Sequence, residues 1–379
     1  METNEFRDLL FSGKITRREA KRLMASFGVM SAMVPIAGRS ARADTEQPVL
    51  FTWAGYDSPE FAAQYVAENG APPNYTFFSN QEEAFNKMRG GYSPDLMFPC
   101  IESMQLWHDA GLLAPIDTSM LTHWPDLFDV FRDIPGGMMG GEQVFAADDW
   151  GQTSIVVRTD LAPEYADPAN QSWNALQDEK YEGRMSVVDS SSDMASIAGV
   201  ALGIDAFNMG DAQIAEVREW LVRQMPNNRI VTHSMTEVAQ SLAAGEVIMG
   251  VAWNSVLTQL KDAAAGSDAQ WVWMVPKEGA ITWCCGLTIH PASKERGLYE
   301  KAHEVIDSYL SPESGRFEIT EWLAGHSNRK SYEGLDEEWL LSVGLAKDVN
   351  TFLANTHFSQ PMANSDKVAV MWEEVQAGI

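Results

Sequence analysis

Val49-Leu50-Phe51-Thr52-Trp53 is the stretch on which the fold turns. It is an apolar, partly β-branched run, too short for a helix and closed by Ala54-Gly55, so it reads as a strand. Working outward, residues 59–67 carry apolar positions at helical spacing, 75–78 read as a second strand, 82–88 as a second helix and 95–98 as a third strand. Strands alternating with helices predict an open α/β lobe. A second series follows, with strands at 185–188, 229–231 and 247–252 and helices at 194–202, 211–225 and 236–244. Between the two series, Gly136-Gly137-Met138-Met139-Gly140-Gly141 has neither dinucleotide-loop spacing nor a Walker lysine and reads as a turn, with paired strands expected at 143–146 and 153–157. Residues 280–289 are β-rich and the tail from 298 is mostly helical; no fixed-period repeat interrupts the chain. The expected fold class is α/β, with two lobes of similar size.

Composition sets the limits. With 379 residues, 45% apolar and 21% charged, the chain has material for a packed core, and disorder is excluded. Lys and Arg number 27 against 53 Asp and Glu, a net charge of -26. That balance speaks against nucleic acid or an anionic membrane, whose binding rests on basic residues. No apolar run is long enough for a membrane span.

Residues 1–43 reverse the charge pattern, with Arg7, Lys14, Arg17, Arg18, Lys21, Arg22, Arg39 and Arg42 against Glu2, Glu5, Asp8 and Glu19. A weakly apolar stretch at 23–37 and Ala41-Arg42-Ala43 follow, the order of an export signal with its cleavage site. Arg17-Arg18 after Thr16 resembles a twin-arginine signal, ordinary secretion being the alternative. With no Cys near the cleavage site to take a lipid, a freely soluble periplasmic product is expected. Cys100, Cys284 and Cys285 are too few for a disulfide framework and read as small buried residues; a Cys100–Cys285 bridge or an adjacent Cys284–Cys285 bridge stays open.

Enzymatic motifs are missing: H-E-x-x-H, G-x-S-x-G and C-x-x-C do not occur, and the seven His are scattered. Asp189-Ser190-Ser191-Ser192-Asp193 follows a strand and opens a helix, which reads as a cap with ligand-contacting side chains; a nucleophile loop of a secreted hydrolase is the distant alternative. No metal or other cofactor is expected. The stronger signal is aromatic. Of thirteen Trp, Trp53, Trp150, Trp253 and Trp283 stand at or near strand ends, where open α/β sheets place their ligand crevice. Tyr56 follows Trp53 by three residues. Ring faces attract cations, and Glu102, Asp149 and Asp193 lie near the same elements to counter the charge. Trp107, Trp220, Trp271, Trp273, Trp322, Trp339 and Trp372 read as core.

The blocks Phe51-Thr52-Trp53-Ala54-Gly55-Tyr56, Pro94-Asp95-Leu96-Met97-Phe98-Pro99, Trp150-Gly151, Trp173-Asn174-Ala175-Leu176, Tyr181-Glu182-Gly183-Arg184, Gly250-Val251-Ala252-Trp253-Asn254 and residues 276–283 run in an order that resembles the periplasmic spermidine/putrescine-binding proteins of ABC importers. The resemblance implies a type II two-lobed periplasmic binding protein with a hinged cleft, a small cationic solute and an inner-membrane ABC permease as partners, no nucleic acid, a monomer, and no enzymatic activity. It implies a first lobe of residues 44–150 and 283–333 and a second of 151–282 and 334–379. It also implies a ligand set: Trp53 and Tyr56 as the first-lobe aromatic pair, Trp253 and Trp283 around the methylene chain, Asp193 as the loop carboxylate and Gln360 as a C-terminal amide contact. Cys100 and Glu102 fall where the family has a Ser and an aromatic. Ser190 and Cys285 fall where it has carboxylates, and His326 lies near the position of a family Tyr. The loss of the anchoring acid at Cys285 leaves two ligand classes open, a polyamine paired by Glu102, Asp149 or Asp193, and a single-headed amine such as a quaternary ammonium or betaine.

Overall fold

The computed structural model describes residues 46–378, and the export-signal expectation lies outside them. In chain order the strands are β1 (Val49–Trp53), β2 (Asn74–Phe78), β3 (Leu96–Met97), β4 (Met138–Met139), β5 (Glu142–Gln143), β6 (Ala146–Arg158), β7 (Met185–Val188), β8 (Asn228–Thr232), β9 (Met249–Trp253), β10 (Trp271–Trp273), β11 (Ala280–Ile289), β12 (Gly325–His326) and β13 (Thr356–Phe358). Both expected βα series are present. They form two α/β lobes on one continuous sheet in the order β2-β1-β3-β11-β6-β9-β7-β8. In the first lobe β1 is parallel to β2 and β3; in the second β7 is parallel to β8 and β9. Two long antiparallel strands, β6 and β11, join them, each lying partly in either lobe. Strand β13 adds to the start of β11 in parallel.

Local chemistry explains most element ends. The side chain of Ser190 accepts from the Asp193 amide to cap helix Ser191–Leu202, which stops at Gly203 with φ 71°, a conformation that glycine adopts without a Cβ penalty. The glycine-rich segment is a two-residue hairpin between β4 and β5, with Gly140 and Gly141 at φ 61° and 85°. Separate strands at 143–146 and 153–157 are not found. Strand β6 runs unbroken through Asp148-Asp149 and Gly151, with all thirteen residues buried, because partners on both sides satisfy its backbone.

The cores separate by lobe. Trp173, Trp220, Met249 and Trp372 belong to the second, while Leu50, Phe61, Leu96 and Tyr309 belong to the first. Leu340, Leu345, Val349 and Leu353 pack with Ile101, Phe131 and Trp150 in a further cluster. Among the described residues no helix is long and apolar enough to cross a membrane.

Candidate functional site

Trp253 and Trp283 come from the strands on either side of β6. Trp283 pairs with Gly151 and Trp253 with Thr153, two residues further along the same strand. Both rings are half-buried, and the Trp283 indole N–H has no partner. The Trp283 ring lies against Gly151, where any Cβ would overlap it and the Asn254 carboxamide. Gly151→Ala is therefore expected to push the ring off its seat at a cost of about 1–3 kcal/mol, the usual overpacking range. Trp fluorescence and a denaturant titration would register both changes, and an unaltered emission maximum would sink the assignment.

At the end of β1, the half-buried Trp53 donates its indole N–H to the Phe98 carbonyl at 3.0 Å and meets Phe78 edge-on. Tyr56 packs its ring against Phe98 and Trp322, with centroids at 4.4 and 4.9 Å. Trp150 does not join these rings. It is fully buried in the core beside Phe131 and donates to the His326 carbonyl, because its alternation along β6 points it away from Gly151's face.

The acids are arranged by a β-bulge. Between the pairs Cys284–Trp150 and Gly286–Ala147, Cys285 alone opposes both Asp148 and Asp149, so the ladder slips by one residue. Asp149 accepts the Tyr56 hydroxyl at 2.5 Å, and Asp148 lies 3.3 Å from His326 Nε2. Burial, reinforced by Asp148, pushes Asp149 up to about 7, against the Tyr56 hydroxyl and backbone amides that favour its charge. Burial also raises Asp148, and raises Glu318 well above the carboxylate range with help from both aspartates. Neither Glu318 oxygen has a hydrogen-bond partner, and burial beside the two aspartates favours its protonated form. Glu318 opens a π-helical turn, Glu318–Trp322, that ends at Leu323 with φ 58° where a regular helix is expected from the sequence. Leu323 presents its carbonyl to Asn254 across from the second lobe at 2.7 Å.

Asp148, Glu318 and His326 bring ligand atoms within 4.8 Å of one another. The histidine is nonetheless committed. Its Nδ1 accepts the Asn328 amide at 3.1 Å, which leaves the ring proton on Nε2, directed at Asp148 and the Tyr309 carbonyl. Nε2 then has no lone pair to give a metal, and the group is a buried hydrogen-bonded cluster.

Glu102 lies in the turn after Cys100. Its Oε1 accepts from the Gln81 amide at 2.7 Å, while its buried Oε2 has no partner. Burial pushes it up to about 7; Asp193 and Glu82 add to the rise, and Gln81 opposes it. The charge of Asp193, in the first turn of helix Ser191–Leu202 in the other lobe, is thus felt at Glu102. Asp193 is itself raised by burial, opposed by Ser190 and His233.

The cysteines depart from the expectation of three small buried residues. Cys100 and Cys285 form a disulfide, and only Cys284 is free, its thiol pushed well up by burial. The bridge ties the segment carrying Glu102 to the strand carrying Trp283. It also means that neither bridged sulfur offers a ligand a proton or a charge. Gln360 stands elsewhere: it is exposed on the rim of a cavity of about 700 Å³, lined by residues 200–207, Glu278 and β13, with none of the strand-end Trp on its wall. Gln81, Asn254 and Glu318 carry no motif and were not legible as site residues, whereas His326 was reached only through the family resemblance.

Residues 60–332 match the bacterial extracellular solute-binding protein family. The putrescine-binding periplasmic protein of Escherichia coli (strain K12) is 21% identical over 296 residues, spanning 75% of this chain and 79% of that one. The spermidine/putrescine ABC transporter substrate-binding protein of Streptococcus pneumoniae superposes with a TM-score of 0.72 at 20% identity, covering 88% of this chain and 99% of that one. A binding protein of A. tumefaciens solved with glucopine superposes with a TM-score of 0.64 at 16% identity, covering 87% and 99%.

Proposed function

We propose, from the premise that this chain belongs to the bacterial extracellular solute-binding protein family, that the solute it hands to an ABC permease is a polyamine of the spermidine/putrescine kind. The chain is a substrate-binding protein of an ABC transporter, and the family is one of transport proteins. The finer reading rests on one observation. Burial raises the pKa of Glu102, Asp149 and Asp193, and among the described residues no Lys or Arg forms an ion pair with any of them. Burial makes the charged form of such acids costly until a cation offsets it, and a polyamine brings several ammonium groups on an apolar chain that suits ring faces. Closure of the lobes on the ligand would remove both from water. No bond is made or broken in this reading, so incubation with amines or esters returns them unchanged. The location is periplasmic, with residues 1–43 as its export signal; the N-terminus of the exported protein tests that.

A second reading has its own support. Cys285, where the resembled family has an anchoring acid, is locked in the disulfide, which fits a single-headed cation caged by Trp53, Trp253 and Trp283. A thermal-shift screen against putrescine, spermidine, cadaverine and betaines separates the two, since a ligand that binds only the folded state raises the midpoint. Putrescine or spermidine is expected to shift it, and Trp283→Ala to weaken binding roughly tenfold or more. A shift with betaine alone would overturn the polyamine reading.

A further inference from the structure

We propose that Gln81 and Glu102 together restrict the ligand to cations that carry N–H, admitting primary and secondary ammonium groups and rejecting quaternary ones; this rests on the cationic-solute reading above. Gln81 is the first residue of helix Gln81–Arg89, whose start is fixed by the Asn80 side chain accepting the Glu83 amide. Both ends of its carboxamide are engaged. Oε1 accepts the Cys100 backbone amide at 2.9 Å, which forces the NH2 group to be the end that faces Glu102. That NH2 donates to Glu102 Oε1, so the carboxyl is held with Oε2 as its unused acceptor.

The groups whose charge reaches Glu102 are Asp193 and Glu82, both acids, and neither is a hydrogen-bond partner of Oε2. The ligand is the donor assigned to Oε2. Any cation lowers the electrostatic cost of ionising Glu102, but only one with N–H also completes the hydrogen bond at Oε2. A fully methylated nitrogen keeps its charge farther away and leaves Oε2 empty. The rings do not discriminate, since their faces attract both kinds of cation. Gln81 acts through Glu102 and is a positioning residue; Glu102 is the group that touches the ligand.

The test is calorimetric titration of the full chain with putrescine and with its fully N-methylated bis-quaternary analogue. Putrescine is expected to bind roughly a hundredfold or more tightly, as a site built to hydrogen-bond an N–H rejects a ligand without one. In Glu102→Gln, an isosteric change whose folding the thermal midpoint monitors, the ratio should fall to about tenfold or less. Gln81→Ala keeps the charge but loses the orientation, and should shrink the ratio as well. Near-equal binding of the two compounds by the wild-type protein, or an undiminished ratio in Glu102→Gln, overturns the inference and leaves the cationic-solute reading standing. Failure of both compounds to bind removes that reading and this inference with it.

Discussion

Lowering the pH from about 8 to about 5 is expected to raise the thermal midpoint of this protein, the reverse of ordinary acid destabilisation. Asp149 and Glu102 are each pushed up to about 7 from ordinary values of 3.8 and 4.5, chiefly by burial. Asp148, Asp193 and Glu318 move the same way. Between the ordinary value and the raised one, the folded protein holds protons that the unfolded chain has released. Each increase in pH inside that window therefore removes stability; the contribution is fully present below about 4 and lost above about 7. One group displaced this far is worth a few kcal/mol, at about 1.4 kcal/mol per pKa unit. Relief of repulsion from the net charge of -26 acts in the same direction, so variants must separate the two causes. Asp149→Asn and Glu102→Gln should each raise the midpoint at pH near 8 and flatten its slope, whereas a surface effect would leave the slope unchanged. A wild-type midpoint that drops on acidification over this range would refute protonation of the cluster.

Breaking the Cys100–Cys285 bridge is the second large effect. The cystine closes a loop spanning 185 residues, and loss of such a cross-link costs typically about 2–4 kcal/mol, longer loops lying toward the upper end. At roughly 2–4 °C per kcal/mol for domains of a few hundred residues, reductant or Cys285→Ser should lower the midpoint by several degrees. Ligand affinity should fall too, because Glu102 lies two residues after Cys100 and Trp283 two before Cys285. Cys284→Ser is the control. Its thiol is buried and outside the bridge, so it should react only on unfolding and leave the response to reductant intact. Three reactive thiols in denatured, unreduced protein would rule the pairing out.

Much of the fold was legible because it depends on short-range periodicity. Val49–Trp53, Met185–Val188 and Ala280–Ile289 form strands where their apolar runs predict them, and the helices beginning near residues 82, 211 and 236 differ from expectation by a residue or two. What failed, failed where partners override pattern. Asp148-Asp149 and Gly151 look like a break in an apolar run, yet they lie inside one strand because β11 and β9 flank it. Trp150, between an acid and a glycine, reads from the sequence as a cleft residue like Trp53. Only the face of the strand it occupies makes one a core residue and the other half-exposed.

By itself the sequence determined the α/β class, the acidic character of the chain, and the placing of Trp53 and Trp253 at strand ends, all properties of composition or of spacing over a few residues; Trp150 and Trp283 lie inside their strands. Tertiary structure decided which groups meet. The bulge in β6 sets two aspartates against Cys285, and residues 178 positions apart, Asp148 and His326, meet at 3.3 Å with both side chains fully buried. Periodicity is written in neighbouring residues, but burial, and with it the raised affinity of these acids for protons, exists only when distant strands close over them.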